Sequence, residues 1–122
     1  MAWTVDFDPT FEIEFRAMDQ DVQDTLLAHA LLLREFGPTL GRPRADTLNG
    51  SRHSNMKELR FRVANDVWRV AFAFDPVQRA ILLAAGNKRG QNERRFYEQL
   101  IGLADDRFES HLNRQRSRRS RR

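Results

Sequence analysis

The chain predicts an α+β fold in one domain: a helical hairpin and a C-terminal helix on a small, mostly antiparallel sheet, in the order β-α-α-β-β-β-α. Three observations carry that prediction. Residues 56–63 (MKELRFRV) and 67–74 (VWRVAFAF) each alternate apolar with polar side chains across a short Asn-Asp step, the pattern of a β-hairpin. Apolar residues recur every three or four positions over residues 9–36 and again over 92–112, the period of amphipathic helices. Residues 80–85 (AILLAA) are apolar throughout, as in a strand buried on both faces.

Taken in order, Trp3-Thr4-Val5-Asp6-Phe7 alternates and reads as the first strand. Asp8-Pro9 then opens a helix, with a capping carboxylate and a proline where no N–H is missed. Phe11, Phe15 and Met18 follow at helical spacing, and a second helix runs from about Asp19 through Val22, Leu26, Ala30 and Leu33 until Gly37-Pro38 closes it. His29 belongs to that stripe and is read as packed. Residues 37–55 hold three glycines and two prolines and read as an irregular loop. Loops beyond about 12–15 residues are uncommon in compact domains unless they work. This one carries Arg42, Arg44, Arg52 and His53, the last either a proton carrier or a solvated ring.

In the hairpin, Leu59, Phe61 and Val63 share a face opposite Glu58, Arg60 and Arg62, and Trp68, Val70, Phe72 and Phe74 lie opposite Arg69, Ala71 and Ala73. A two-residue turn at Asn65-Asp66 keeps the apolar faces together, because a one-residue slip would exchange them. That register sets Arg62 against Arg69, Arg60 against Ala71 and Glu58 against Ala73. Like charges across a ladder repel. Either the arginines splay into water, or they form an anion site with the alanines as its floor.

Asp75–Arg79 reads as a turn, and the apolar strand after it ends in Gly86-Asn87-Lys88-Arg89-Gly90-Gln91, which is flexible and basic. Asn92 then caps a helix carrying Phe96, Leu100, Leu103, Ala104, Phe108 and Leu112 inside, Arg94, Arg95 and Glu98 outside, and Tyr97 in its second turn. The last ten residues hold six arginines and no acid. They predict a basic tail, disordered or prolonging the helix, that serves either solubility or RNA binding. The domain is thus expected over 1–112 and the tail over 113–122.

The net charge of +4 is unevenly spread: −6 over residues 1–40, +7 over 41–95, −3 over 96–112 and +6 over 113–122. Such polarity favours a polyanionic partner. Cysteine is absent, which excludes disulfides and thiolate-held metals. With no apolar run of about 18 residues and no leader pattern, a cytoplasmic address and no membrane contact are expected.

The order of elements resembles the RelE/ParE superfamily of toxins from toxin–antitoxin pairs, and within it the HigB-like branch that includes phage-derived Gp49-like proteins. The matching pieces are Val5-Asp6-Phe7-Asp8, Phe36-Gly37-Pro38, Leu48-Asn49-Gly50, Lys57-Glu58-Leu59-Arg60, Trp68-Arg69-Val70-Ala71-Phe72, Gly86-Asn87-Lys88-Arg89 and Phe96-Tyr97. The resemblance implies an endoribonuclease that cuts messenger RNA on the ribosome, uses neither metal nor other cofactor, and is silenced by a cognate antitoxin, a HigA-like helix-turn-helix protein. The ParE side of the superfamily implies the alternative, a toxin that cuts nothing and binds DNA gyrase.

Carried over by position, Arg69 implies the holder of the scissile phosphate, Arg60 a basic residue of the strand before it, and Lys88 the cation after the last strand. Arginines suit charge stabilisation rather than proton transfer. Positions that hold lysines in some relatives read Met56 and Glu58, and no tyrosine follows closely on Lys88. Glu58 is therefore either the general base, with a pKa its arginine neighbours should lower, or a plain ion-pair partner. Lys57 and His53 stand as candidate acids, and Arg62, Lys57, Arg89, Arg52, Arg94 and Arg95 as candidate RNA contacts.

Overall fold

A computed structural model describes residues 3–120. Strand β1 (Thr4–Phe7) runs into helix α1 (Pro9–Arg16), where the Asp8 carboxylate caps the first turn by accepting from Phe11 N at 3.0 Å. Helix α2 (Gln20–Phe36) ends at Gly37, whose φ of +56° suits glycine. A Cβ there would also lie 2.2 Å from the Trp3 indole nitrogen, so this glycine lets the start of β1 pack on the helix end.

The sheet order is β1-β5-β4-β3-β2, with β2 (Ala45–Thr47), β3 (Met56–Val63), β4 (Asp66–Phe74) and β5 (Arg79–Asn87) antiparallel to one another and β1 parallel to β5. Helix α3 (Glu93–Ser120) covers one face; α1 and α2 cover the other. This is the α+β architecture expected from the pattern. No described helix is long and apolar enough to cross a membrane.

Two local expectations are corrected and an open alternative is decided. The hairpin turn is Ala64-Asn65 rather than Asn65-Asp66, so Arg60 pairs with Arg69, Glu58 with Ala71 and Arg62 with Val67. The register differs by two residues on the ladder, which preserves the faces. Ala64 takes φ +53°, a left-handed conformation costing an L-residue about 1–2 kcal/mol, and side-chain propensity gives no hint of it. Second, the loop contains β2, which pairs Asp46 with Glu58. Third, of the two readings of the basic stretch, the helical one holds as far as Ser120, where α3 ends. Gln115 donates to Asp75, and Arg114 lies 3.9 Å from Asp8, so the first basic turn is tied to the body. Cations in the last turns also suit the negative end of the helix dipole.

Each sheet face builds its own core. Phe61, Val70, Phe72 and Leu82 meet Phe11, Phe15, Leu26 and Leu33 from α1 and α2, and His29 packs there, its ring 5.1 Å from that of Phe61. On the other face Met56, Ala71, Ala73, Ile81 and Leu83 meet Phe96, Leu100, Ala104 and Phe108 of α3. Ala71 and Ala73 are therefore small to admit the helix, and they do not floor an open trough. The hairpin end of that face carries exposed Arg60 and Arg62.

Candidate active site

The end of the α3 face beyond the helix core carries a chain of three polar side chains. Arg69, on β4, is only 4% exposed, and its Nε donates to Tyr97 Oη at 2.8 Å while one terminal nitrogen donates to the Val67 carbonyl at 3.1 Å. Tyr97 Oη in turn donates to Glu58 Oε1 at 2.9 Å. The guanidinium lies 5.5 Å from the Phe96 ring centroid and 5.6 Å from that of Tyr97, so two aromatic rings share a buried cation. Gly86, paired with Arg69 on β5, makes room: a Cβ there would stand 3.1 Å from the Phe96 ring.

Glu58 departs from the expectation that arginines lower its pKa. Burial raises it, outweighing the hydrogen bond from Tyr97 and the attraction of Arg60 and Arg69. The carboxylate is 7% exposed and receives one hydroxyl donor, too little to offset desolvation. Its proton affinity thus moves toward the range of a useful general base. Burial and the adjacent Glu58 raise the Tyr97 pKa, so the phenol keeps its proton at neutral pH and serves as a fixed donor.

On the other side Arg69 lines a groove of about 280 Å³ with Lys88, Arg89, Asn65, Asp66 and Asn87. Lys88 stands 3.6 Å from Glu93, and Arg89 is held by Asp66 at 3.0 Å. Arg60 sits directly across the ladder from Arg69 and is exposed, as is Arg62. Of the sequence-derived site residues the structure thus gathers Arg69, Glu58, Arg60, Lys88, Arg89 and Arg62.

Five others lie elsewhere. Lys57 shares the ladder position of Phe72 on the α2 face and reaches the Pro38 carbonyl at 3.5 Å, so it is no acid for this site. The loop before β3 is pinned to the middle of α3 by Ser51 Oγ on Asp105 at 2.5 Å and Arg52 N on Asp105 at 3.0 Å. That places Arg52 on Asp106 and His53 against Phe108 and Glu109. Phe108 is eleven residues beyond Tyr97, about 16 Å along the helix, so His53 is remote from Arg69. Arg94 pairs with Glu98 outside α3. Arg95 is exposed on the same first turns, its amide capped by Asn92 Oδ1 at 2.8 Å.

Tyr97 was not among the expected site residues. Its signal is a second apolar stripe, Tyr97 and Ile101 one turn apart beside the main Phe96, Leu100, Ala104, Phe108 stripe, which marks a helix flank turned to the sheet.

Residues 13–109 match the sequence profile of the phage-derived Gp49-like proteins. Two Mycobacterium tuberculosis H37Rv proteins named as toxins are similar. HigB3 is 44% identical over 104 residues, covering 85% of this chain and 89% of that protein. HigB2 is 41% identical over 114 residues, 92% of this chain, which spans only 55% of that relative's length. Among solved structures, a free double arginine-to-alanine variant of the Escherichia coli toxin RelE superposes with a TM-score of 0.59 over 83% of this chain and 95% of its own, at 17% identity, a likeness of fold.

Proposed function

Because the chain belongs to the Gp49-like family, within the RelE/HigB toxin superfamily, we propose that it is the toxin of a type II toxin–antitoxin pair, a ribosome-dependent endoribonuclease acting on messenger RNA. The Glu58–Tyr97–Arg69 chain beside a groove lined by Lys88 and Arg89 is the observation that carries this reading.

In the proposed reaction a 2′-hydroxyl attacks the adjacent phosphate, forming the 2′-O–P bond as the P–O5′ bond breaks. Glu58 takes the hydroxyl proton, which its raised proton affinity favours. Arg69, with Arg60 beside it, stabilises the charge gathering on the phosphoryl oxygens. Tyr97 holds both groups in place, and Lys88 supplies the proton to the departing 5′-oxygen. A helix-turn-helix antitoxin covering this basic end would silence it.

The test is to induce the protein in cells and map messenger-RNA 5′ ends, with Arg69→Ala as control. New 5′ ends that fall by about a hundredfold or more in the variant support the nuclease. Intact messages together with DNA-damage induction would replace it with the gyrase-binding alternative.

A further inference from the structure

The densest run of basic residues in the chain falls at the C-terminal end of α3. Residues 110–122 hold six arginines, one histidine and no carboxylate. Arg114 and Arg118, one helical turn apart, line a groove of about 450 Å³ whose other walls carry Arg16, Arg79 and His111. Asp6 and Glu12 also line it, but they are already engaged, Asp6 at 3.5 Å from Arg79 and Glu12 on Arg16. Arg114 reaches Asp8 only at 3.9 Å, and no carboxylate pairs with Arg118 among the described residues. Arg79 is engaged as well, its buried Nε 3.4 Å from Asp75 Oδ2 and a terminal nitrogen 3.5 Å from Asp6. After internal pairing the groove keeps the Arg118 guanidinium, and the loosely held Arg114, for an outside anion.

We propose that this end of α3 binds the phosphate backbone of a folded RNA, anchoring the protein about 26 Å along the helix from Tyr97 and the cutting groove. Guanidinium forks on a rigid helix suit phosphate oxygens, which they meet in bidentate fashion. A lipid surface is disfavoured, since residues 113–120 (NRQRSRRS) contain no apolar side chain to enter a bilayer. The choice of RNA over DNA rests on the messenger-cutting reading; the phosphate-binding surface does not.

The experiment measures anisotropy of a fluorescein-labelled RNA hairpin of about 20 base pairs with the full chain, across a KCl series. Arg114→Gln with Arg118→Gln should weaken binding about tenfold and flatten the slope of log K against log salt by about one to two units. Arg118→Gln alone, which disturbs no carboxylate contact, should give about half that slope change, with the melting temperature unaltered. Arg69→Ala should retain the hairpin affinity, so failure of the anchor and failure of the cutting site are read separately. Unchanged affinity and slope in the double variant would overturn the proposal. So would at least about tenfold tighter binding of a DNA duplex of equal length, or of phosphatidylserine vesicles, lost in the double variant.

Discussion

Two of the carboxylates buried against α3 make a pair of opposites, Glu58 toward its N-terminal end and Asp75 toward its C-terminal end. Burial is the largest influence on each, and it pushes both toward protonation. For Asp75 it is overcome: His111 at 2.9 Å, Gln115, and the backbone amides of Arg79 and Val77 all donate to it, and its pKa ends below the usual range. Glu58 has one phenol and two nearby guanidiniums that do not hydrogen-bond to it, and its pKa ends above. The number of short-range donors, more than the presence of positive charge, decides whether a buried acid becomes a clamp or a base.

The comparison breaks most sharply on Glu58→Gln. That variant keeps the shape and the phenol's partner but cannot accept a proton, so cleavage mapped in cells should fall about 10²–10⁴-fold. Stability should change by less than about 1 kcal/mol, because no buried partner is orphaned. A variant that cuts normally would remove Glu58 from the chemistry.

Asp75→Ala should do the reverse, leaving activity per folded molecule intact. It orphans His111, Gln115 and two amides, and denaturant unfolding should show a loss of about 3 kcal/mol. The sign with pH follows from the lowered pKa. Asp75 contributes stability above its unfolded pKa near 3.8, and that contribution is lost as pH falls through the lower folded value. The gap between wild type and variant should therefore be full at neutral pH and close only in strong acid.

Much of this contrast is invisible in the chain alone. Alternation over residues 56–74 placed Glu58, Arg60 and Arg69 on one face, because a period of two fixes faces absolutely. It fixes register only to within steps of two, and a turn built on Ala64 at positive φ has no sequence signature. Where α3 lands decides the rest. Its contact with Ala71 and Ala73 turned half of an apparently solvated face into core, and brought Tyr97 onto Arg69 from 28 residues away. The donors to Asp75 come from two segments, the turn before β5 and α3, and one of them, Gln115, sits in the arginine-rich stretch whose sequence left disorder open. Strand β2, three residues long, is too short for alternation to reveal.

Tyr97→Phe sharpens the comparison with the smallest change, since it strips Glu58 of its one hydrogen-bond donor and leaves the ring in place. That bond lowers the Glu58 pKa, so its loss should lift an already raised value further. A base works only when deprotonated, so the acid limb of the cleavage pH profile should move to higher pH. Arg69 Nε also loses its acceptor, and cleavage at neutral pH should fall about tenfold, the effect of one misplaced hydrogen bond. A purely structural phenol would instead lower activity equally at all pH values, with the limb unmoved. Profiles of wild type and Tyr97→Phe on purified ribosomes programmed with one message tell the two apart, because a shift of the limb requires Tyr97 to act through Glu58.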